Sequence, residues 1–341
     1  MNRMNLKRIY AALLALLLLF SCGCGGYRGR VIAQDAQMLS QDVDAAAPQI
    51  LSPSLENSAQ TKTQNVSLYF PYGEDSTLGR EEREVSYAAN ERLENAILAA
   101  LLEGPSEEYP QLNRIVNEDV QIINSSLNGN TLFITFNAAF LQPVSQLPEG
   151  WEEDSELLST VRTQRRMALV AIVNSVTGVN GISQVQLLVD TENDGLGRRI
   201  KRQDMGLMPT GDNPDELLES VGRQYSYNTS LQTVSSLVLR LMQEKNTQRL
   251  YSYIADSYLS EKPGYADWID SMRTGEWSLE SFEVLELIPA QDGQTATAFV
   301  NVKYNLSLGA TYEVSGVTLK FALESGVWKV DYESLCSILP A

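Results

Sequence analysis

The chain contains no histidine. That absence removes the Ser-His-Asp triad, the Cys-His pair and any histidine-ligated zinc centre in one stroke. Cysteine is nearly as scarce, with Cys22, Cys24 and Cys336 the full set. Basic residues are outnumbered, 26 Lys and Arg against 43 Asp and Glu, for a formal charge of −17. An acidic exterior disfavours nucleic acid and anionic lipid as partners. A long apolar run is missing too. The longest, Ile9 to Phe20, is about a dozen residues, whereas a bilayer-spanning helix needs roughly 20.

What is there begins with that short run. Arg3, Lys7 and Arg8 precede it, so it fits a signal-peptide core behind a positive start. It ends in Leu19-Phe20-Ser21-Cys22, which resembles a bacterial lipobox: leucine three residues before a cysteine and a small residue directly before it. The resemblance implies acylation of Cys22 and cleavage ahead of it. Cys24 after Gly23 is the alternative site, and an uncleaved membrane anchor is the plainer reading. Either way most of the chain lies outside the cytoplasmic membrane, and the lipobox reading makes it lipid-anchored at the extracytoplasmic face. Lipidation of Cys22 leaves no obvious disulfide. Cys336, in Ser334-Leu335-Cys336-Ser337, reads as a small buried hydrophobe. Removing residues 1–21 takes three basic side chains and leaves 23 against 43, or −20. That charge suits a domain held near an anionic wall polymer without sticking to it.

Residues 22–65 are rich in Gln, Ser, Ala and Asp, with Pro48 and Pro53 and no sustained period. They read as a flexible tether, about 35 Å in root-mean-square span.

Residues 66–212 have a clear order. Val66 to Pro71 is a short apolar strand, and Arg83 to Tyr87 is a second. Leu93, Ile97 and Leu101 make one helical face, with Asn90 as N-cap and Gly104-Pro105 as the stop. Residues 119–137 alternate on both sides of Asn128-Gly129-Asn130 and predict a β-hairpin. Leu158, Val161, Leu169, Ile172, Val173 and Val176 keep a helical period, with Gly178 placed as a C′ glycine. Ser183 to Asp190 closes the unit as a strand. The order ββαββαβ predicts a mixed sheet with two helices.

Val66 to Asp75, Ala96 to Pro105 and Asn128 to Leu141, in this order and spacing, resemble the GerMN domain of sporulation and germination proteins. One copy is present. The resemblance implies a fold similar to ring-building modules, a place among envelope lipoproteins of Gram-positive bacteria, and an assembly or scaffold role. It implies no catalytic residue and no cofactor.

Residues 213–228 read as a linker with a helical turn or two. Residues 229–341 predict helices followed by a curved antiparallel sheet. Leu231, Val234, Leu237, Val238 and Leu241 form one helical face, and Leu250, Tyr253 and Ile254 a second. The period then switches to two. Ala296, Ala298, Val300, Val302, Tyr304 and Leu306 point one way, and so do Val317, Leu319, Phe321 and Leu323, then Trp328, Val330 and Tyr332. The fold class is therefore α+β twice over: a GerMN-like mixed sheet with two helices, then a cone-like domain. The last hairpin resembles the nuclear-transport-factor-like cone, which implies a pocket.

Chemistry is sparse. Asp190 to Gly195 has the start of a calcium loop, but Lys201 stands where a bidentate glutamate is required. Glu149, Glu152, Glu153 and Asp154 crowd one loop before a helix, where acids favour the positive helix end. Asp256 beside Tyr253 and Tyr258 is a candidate cone mouth. Two basic clusters, Arg162, Arg165 and Arg166, and Arg198, Arg199 and Arg202, are candidate partner contacts, against the plain reading of solvated faces. The expectation is a non-enzymatic envelope scaffold binding a protein or peptidoglycan. The alternative is a small-ligand or sensor module using the cone.

Overall fold

In the computed structural model, residues 61–73, 76–179, 181–274 and 277–340 are described. The signal segment, Cys22, Cys24 and the tether up to residue 60 lie outside them.

β1 (Thr61–Pro71) and β2 (Leu78–Ala88) pair antiparallel along their whole length as a two-stranded ribbon. β1 starts five residues before Val66, inside the stretch read as tether. Its polar first half, Thr61 to Asn65, carries no apolar signal, yet it is zipped to Val85–Ala88 and Glu84 by backbone pairing. α1 (Leu93–Glu103) follows. Its N-cap is Arg92, without a side-chain cap, so Asn90 does not serve. Asn90 lies in the turn out of β2, two residues too early to reach the first helical amides.

The end of α1 explains its Gly-Pro stop. Gly104 sits at φ +92°, a region that L side chains rarely adopt. The last carbonyls of the helix have no partners within it. Two arginines take them. Arg83 donates to Ala100 and Gly104 oxygens at 3.2 and 2.8 Å, and Arg114 to Leu102 and Glu103 oxygens at 2.9 and 2.8 Å. The buried Glu81 holds Arg83 at 2.5 Å.

β3 (Ile122–Asn128) and β4 (Thr131–Asn137) form the expected hairpin around a two-residue turn. α2 (Ser155–Val176) crosses from β4 to β5 (Gln184–Asp190), and β4 and β5 run parallel, as such a crossover allows. β6 (Arg198–Arg199) and β7 (Val221–Gly222) both pair antiparallel with β5. The mixed sheet with two helices is thus present, with the first two strands standing apart as a ribbon. α2 is capped by Asp154, whose Oδ1 accepts the Glu156 and Leu157 amides at 2.9 and 3.1 Å. It closes on Thr177 rather than on a left-handed glycine at 178. Its two halves differ. Met167 to Val176 is buried all round, whereas residues 155–166 include one fully buried side chain, Val161.

The segment 213–228 is stitched into the fold. β7 adds to the sheet, Leu218 is fully buried, and Asn174 of α2 bonds Gln224 N, Gln224 O and Asn228 Oδ1 at 2.8, 3.0 and 2.7 Å.

Beyond it come α3 (Leu231–Gln243), α4 (Thr247–Ser252) and α5 (Tyr265–Thr274), then β8 (Trp277–Pro289), β9 (Thr295–Leu306), β10 (Thr311–Glu324) and β11 (Val327–Val330). The strands form an antiparallel sheet in the order β11-β10-β9-β8. Alternate β9 residues from Ala296 to Tyr304 are buried, as their period implies. α5 and β8 carry no clean period and were not legible. Tyr332 does not continue the last strand. Asp331, fully buried, accepts the Ser334 amide at 3.0 Å and opens α6 (Tyr332–Ser337) instead.

The described residues belong to one compact unit, and one continuous apolar core runs through both regions. A seam joins them. Arg80 N donates to Gly326 O at 2.9 Å, Thr229 N to Leu78 O at 2.8 Å, and Tyr72 Oη to Ser252 O at 2.7 Å. The Tyr72 and Tyr253 rings meet edge to face at 5.4 Å. Among the described residues no helix is long and apolar enough to cross a membrane.

Candidate functional site

Beside the exposed half of α2 lies a groove of about 760 Å³. Its far wall is the 113–115 loop, and its end is the loop at 144–145. The groove exists because α2 changes character along its length. Ser159, Thr160, Thr163 and Gln164 replace the apolar residues that bury its second half. Pro71, Ile115, Val144 and Met167 give an apolar floor. Around it the polar groups divide into used and unused. Asn113 Nδ2 donates to Gly73 O at 2.7 Å, Gln164 Oε1 accepts the Val144 amide at 3.4 Å, and both Arg114 Nη atoms cap α1. The hydroxyls of Ser145, Ser159 and Thr163 have no partner among the described residues.

The candidate arginines lie close by, and most are already engaged. Arg165 donates to Asp204 O at 3.1 Å and to Leu141 O, and stands 5.9 Å from the Trp151 ring. Burial lowers its pKa from the usual arginine value. Arg166 donates to Gly206 O at 3.1 Å. Both therefore fasten the 204–206 loop to α2. Arg162 is half-buried against the same loop. Arg198 bonds Asp194 and Glu192, each at 2.7 Å. That bond holds the Asp194 carboxyl far below the usual carboxylate range, with the Leu196 amide helping. Arg202 donates to Met208 O at 3.0 Å and faces Glu216 at 3.8 Å. Arg199, on β6, is exposed and makes no side-chain bond to the described residues.

The calcium-like turn is organised internally. Asp190 accepts the Asp194 and Gly195 amides at 3.1 and 2.8 Å, and the Arg198 guanidinium supplies the positive charge. Among the described residues no group of three or more acidic, histidine or cysteine side chains is placed to hold a metal. Glu149, Glu152, Glu153 and Asp154 are all exposed, and Asp154 is the α2 cap.

In the C-terminal region the acid and the tyrosines diverge. Asp256 pairs with Lys262 at 3.1 Å and with the buried Lys329 at 3.6 Å. Partial burial opposes its ionisation, but the two lysines prevail and its carboxyl sits below the usual range. Tyr253 is buried at the seam, its hydroxyl 3.2 Å from Thr77 Oγ1, and Tyr258 is partly exposed. The interior of the curled sheet is filled by Tyr304, Phe321 and Trp328, each fully buried. A pocket of about 300 Å³ remains under α3, lined by Leu241, Met242, Leu250, Met272 and Trp277 with Lys245 and Thr247. Cys336 is a free thiol, half-buried rather than fully buried, and burial pushes its pKa up. Sequence reasoning missed the groove, whose one signal was the run of Ser, Thr and Gln on a helix whose continuation is apolar.

Residues 67–194 match the family model described as Germane, sporulation and spore germination. Among solved structures, the tandem GerMN domains of the sporulation protein GerM from Bacillus subtilis align at 17% identity and a TM-score of 0.30. The alignment covers 53% of this chain and 51% of that one, so this chain spans about half of the tandem structure. A candidate lipoprotein from Clostridium perfringens aligns at 16% identity and a TM-score of 0.25, over 50% of this chain and 93% of that one. A computationally designed 17-OHP binder aligns at 14% identity and a TM-score of 0.24, over 29% of this chain and 88% of that one. No curated protein matches the chain. None of these names the nuclear-transport-factor-like cone.

Proposed function

Starting from a chain whose residues 67–194 are a sporulation and spore germination domain, we propose that it is a lipid-anchored, extracytoplasmic, non-catalytic interaction module of the cell envelope. The observation that carries the reading is the family match standing downstream of a lipobox-like Leu19-Phe20-Ser21-Cys22. Cys22 carries the lipid, with Cys24 the alternative. Residues 66–212 and 229–341 are its two functional parts, and the segment before them is the tether. The partner is an envelope protein or peptidoglycan.

Arg162, Arg165, Arg166, Arg198, Arg199 and Arg202 remain the proposed contact set. Their bonds within the fold rank them. Arg199 is free to pair with a partner carboxylate, while Arg165, Arg166, Arg198 and Arg202 would have to exchange internal bonds first.

Metabolic labelling with a palmitate analogue tests the anchor. Cys22→Ala is expected to abolish labelling and release the chain from the membrane fraction. Undiminished labelling that disappears in Cys24→Ala moves the site, and labelling in neither wild type nor mutant ends the proposal. Arg199→Glu is expected to weaken association with the envelope fraction at unchanged melting temperature. Unchanged association removes Arg199 from the contact set.

A further inference from the structure

We propose that the groove beside the exposed half of α2 binds a neutral, polyhydroxylated ligand: a saccharide chain. The argument is one of matching. A site for phosphate or carboxylate needs a free guanidinium or ammonium. Among the described residues that line the groove, the one basic side chain, Arg114, has both Nη atoms committed to the end of α1. A site for an amine or a metal needs carboxylates, and none of the described residues that line the groove carries one. What is left is a set of small hydroxyls, Ser145, Ser159 and Thr163, each able to donate and accept once it leaves water.

Ile115, Val144 and Met167 add apolar groups to the same lining, against which the C–H faces of a sugar ring can pack. Hydroxyls beside apolar groups complement a molecule with hydroxyls at its edges and C–H groups on its faces. The volume, about 760 Å³, falls within the range of roughly 300–1,000 Å³ usual for ligand sites. The formal charge of −17 disfavours an anionic polysaccharide and does not oppose a neutral one. This inference rests on the envelope reading only for where such a saccharide is met, and not for its binding.

Titration calorimetry on the full chain in detergent tests it, with chitotetraose and maltotetraose as probes and a Gly-Ser octapeptide as the control. Saturable binding of at least one oligosaccharide is expected, and the preferred one separates an amino-sugar glycan from a glucan. Thr163→Val keeps the shape and removes the hydroxyl, so it should weaken binding about fivefold, the worth of one hydrogen bond. Ser159→Tyr, at an exposed helical position, should fill the groove and abolish binding with the circular dichroism unchanged. The proposal is overturned by binding to neither oligosaccharide, by binding of the peptide alone, or by equal binding in wild type and both folded variants. Any of these results beside intact palmitate labelling removes the groove and leaves the anchor standing. Oligosaccharide binding without labelling does the reverse.

Discussion

The two regions of this molecule use the same materials to opposite ends. Residues 61–222 arrange seven strands as a ribbon and a separate mixed sheet, with helices between. Layers of different kinds do not close on one another everywhere. Where α2 runs beyond the ribbon its surface turns polar and a groove is left. Residues 229–340 curl one four-stranded sheet over helices and fill the inside with Tyr304, Phe321, Trp328 and Trp268. Its remaining pocket, about 300 Å³, is at the lower limit for a ligand site. A sheet closed by aromatic side chains gains burial and loses space. The region whose sequence resembles a cone with a pocket is thus the fuller of the two, and the region without chemical motifs holds the larger concavity.

The comparison depends on whether the regions are independent, and the seam decides that. Gly326 is the sharpest test. It sits at φ +77°, and a Cβ there would stand 1.9 Å from the Arg80 carbonyl oxygen. Gly326→Ala should cost about 3 kcal/mol or more, because strain and overlap add. Denaturant unfolding followed separately by Trp151 and Trp268 fluorescence should show both regions destabilised together. Loss confined to the C-terminal probe would break the single-unit reading.

Asn174→Ala comes next. It strips three hydrogen bonds that hold the 224–228 segment to α2, leaving buried groups unpaired at a cost of about 2 kcal/mol. Limited proteolysis should then open the 213–228 connection, which in the wild type is protected by β7 and Leu218. Early cutting there in the wild type would instead restore two loosely joined domains.

A smaller effect is expected across the seam at Thr77 and Tyr253, whose hydroxyls are 3.2 Å apart. A double-mutant cycle of Thr77→Val and Tyr253→Phe should return a coupling of about 1 kcal/mol. A coupling of zero would mean that this hydroxyl pair adds nothing to the packing and the other hydrogen bonds of the seam.

The least effect belongs to Asp194. Its carboxyl titrates below the ordinary range because Arg198 bonds the charged form. The contribution of this pair is therefore complete above the unfolded-state value of about 4 and is lost as pH falls through the lower folded value. Asp194→Asn should lower stability slightly at neutral pH, flatten the acid limb and leave stability unchanged at pH below the folded value. A carboxyl carbon resonance of Asp194 titrating at the ordinary value would refute it.

Strong periods in the sequence became the elements they announced. The 119–137 hairpin, the apolar face of α2 and the alternation from Ala296 to Tyr304 are local patterns backed by burial of one face. Failures came where something distant overrode the pattern. Thr61 to Asn65 has no apolar period and is a strand because β2 lies beside it. Tyr332 continues an alternation that Asp331 interrupts, since its carboxylate also accepts the Leu259 and Ser260 amides at 3.1 Å from a remote loop. The arginine clusters were visible as charge, but which guanidiniums were already spent was not.

By itself the sequence determined the order of the elements in residues 66–190, the family model that residues 67–194 match and the classes of catalysis closed to a chain without histidine. These depend on residue identity and short spacing. Tertiary structure decided that the first two strands form their own ribbon, that the 213–228 segment is built into the fold, that four of the six proposed contact arginines are engaged within the fold while the Arg162 and Arg199 side chains make no bond to the described residues, and that a hydroxyl-lined groove opens beside α2. Each of these depends on which distant groups meet, and on the hydrogen-bond partners that remain once the chain has closed.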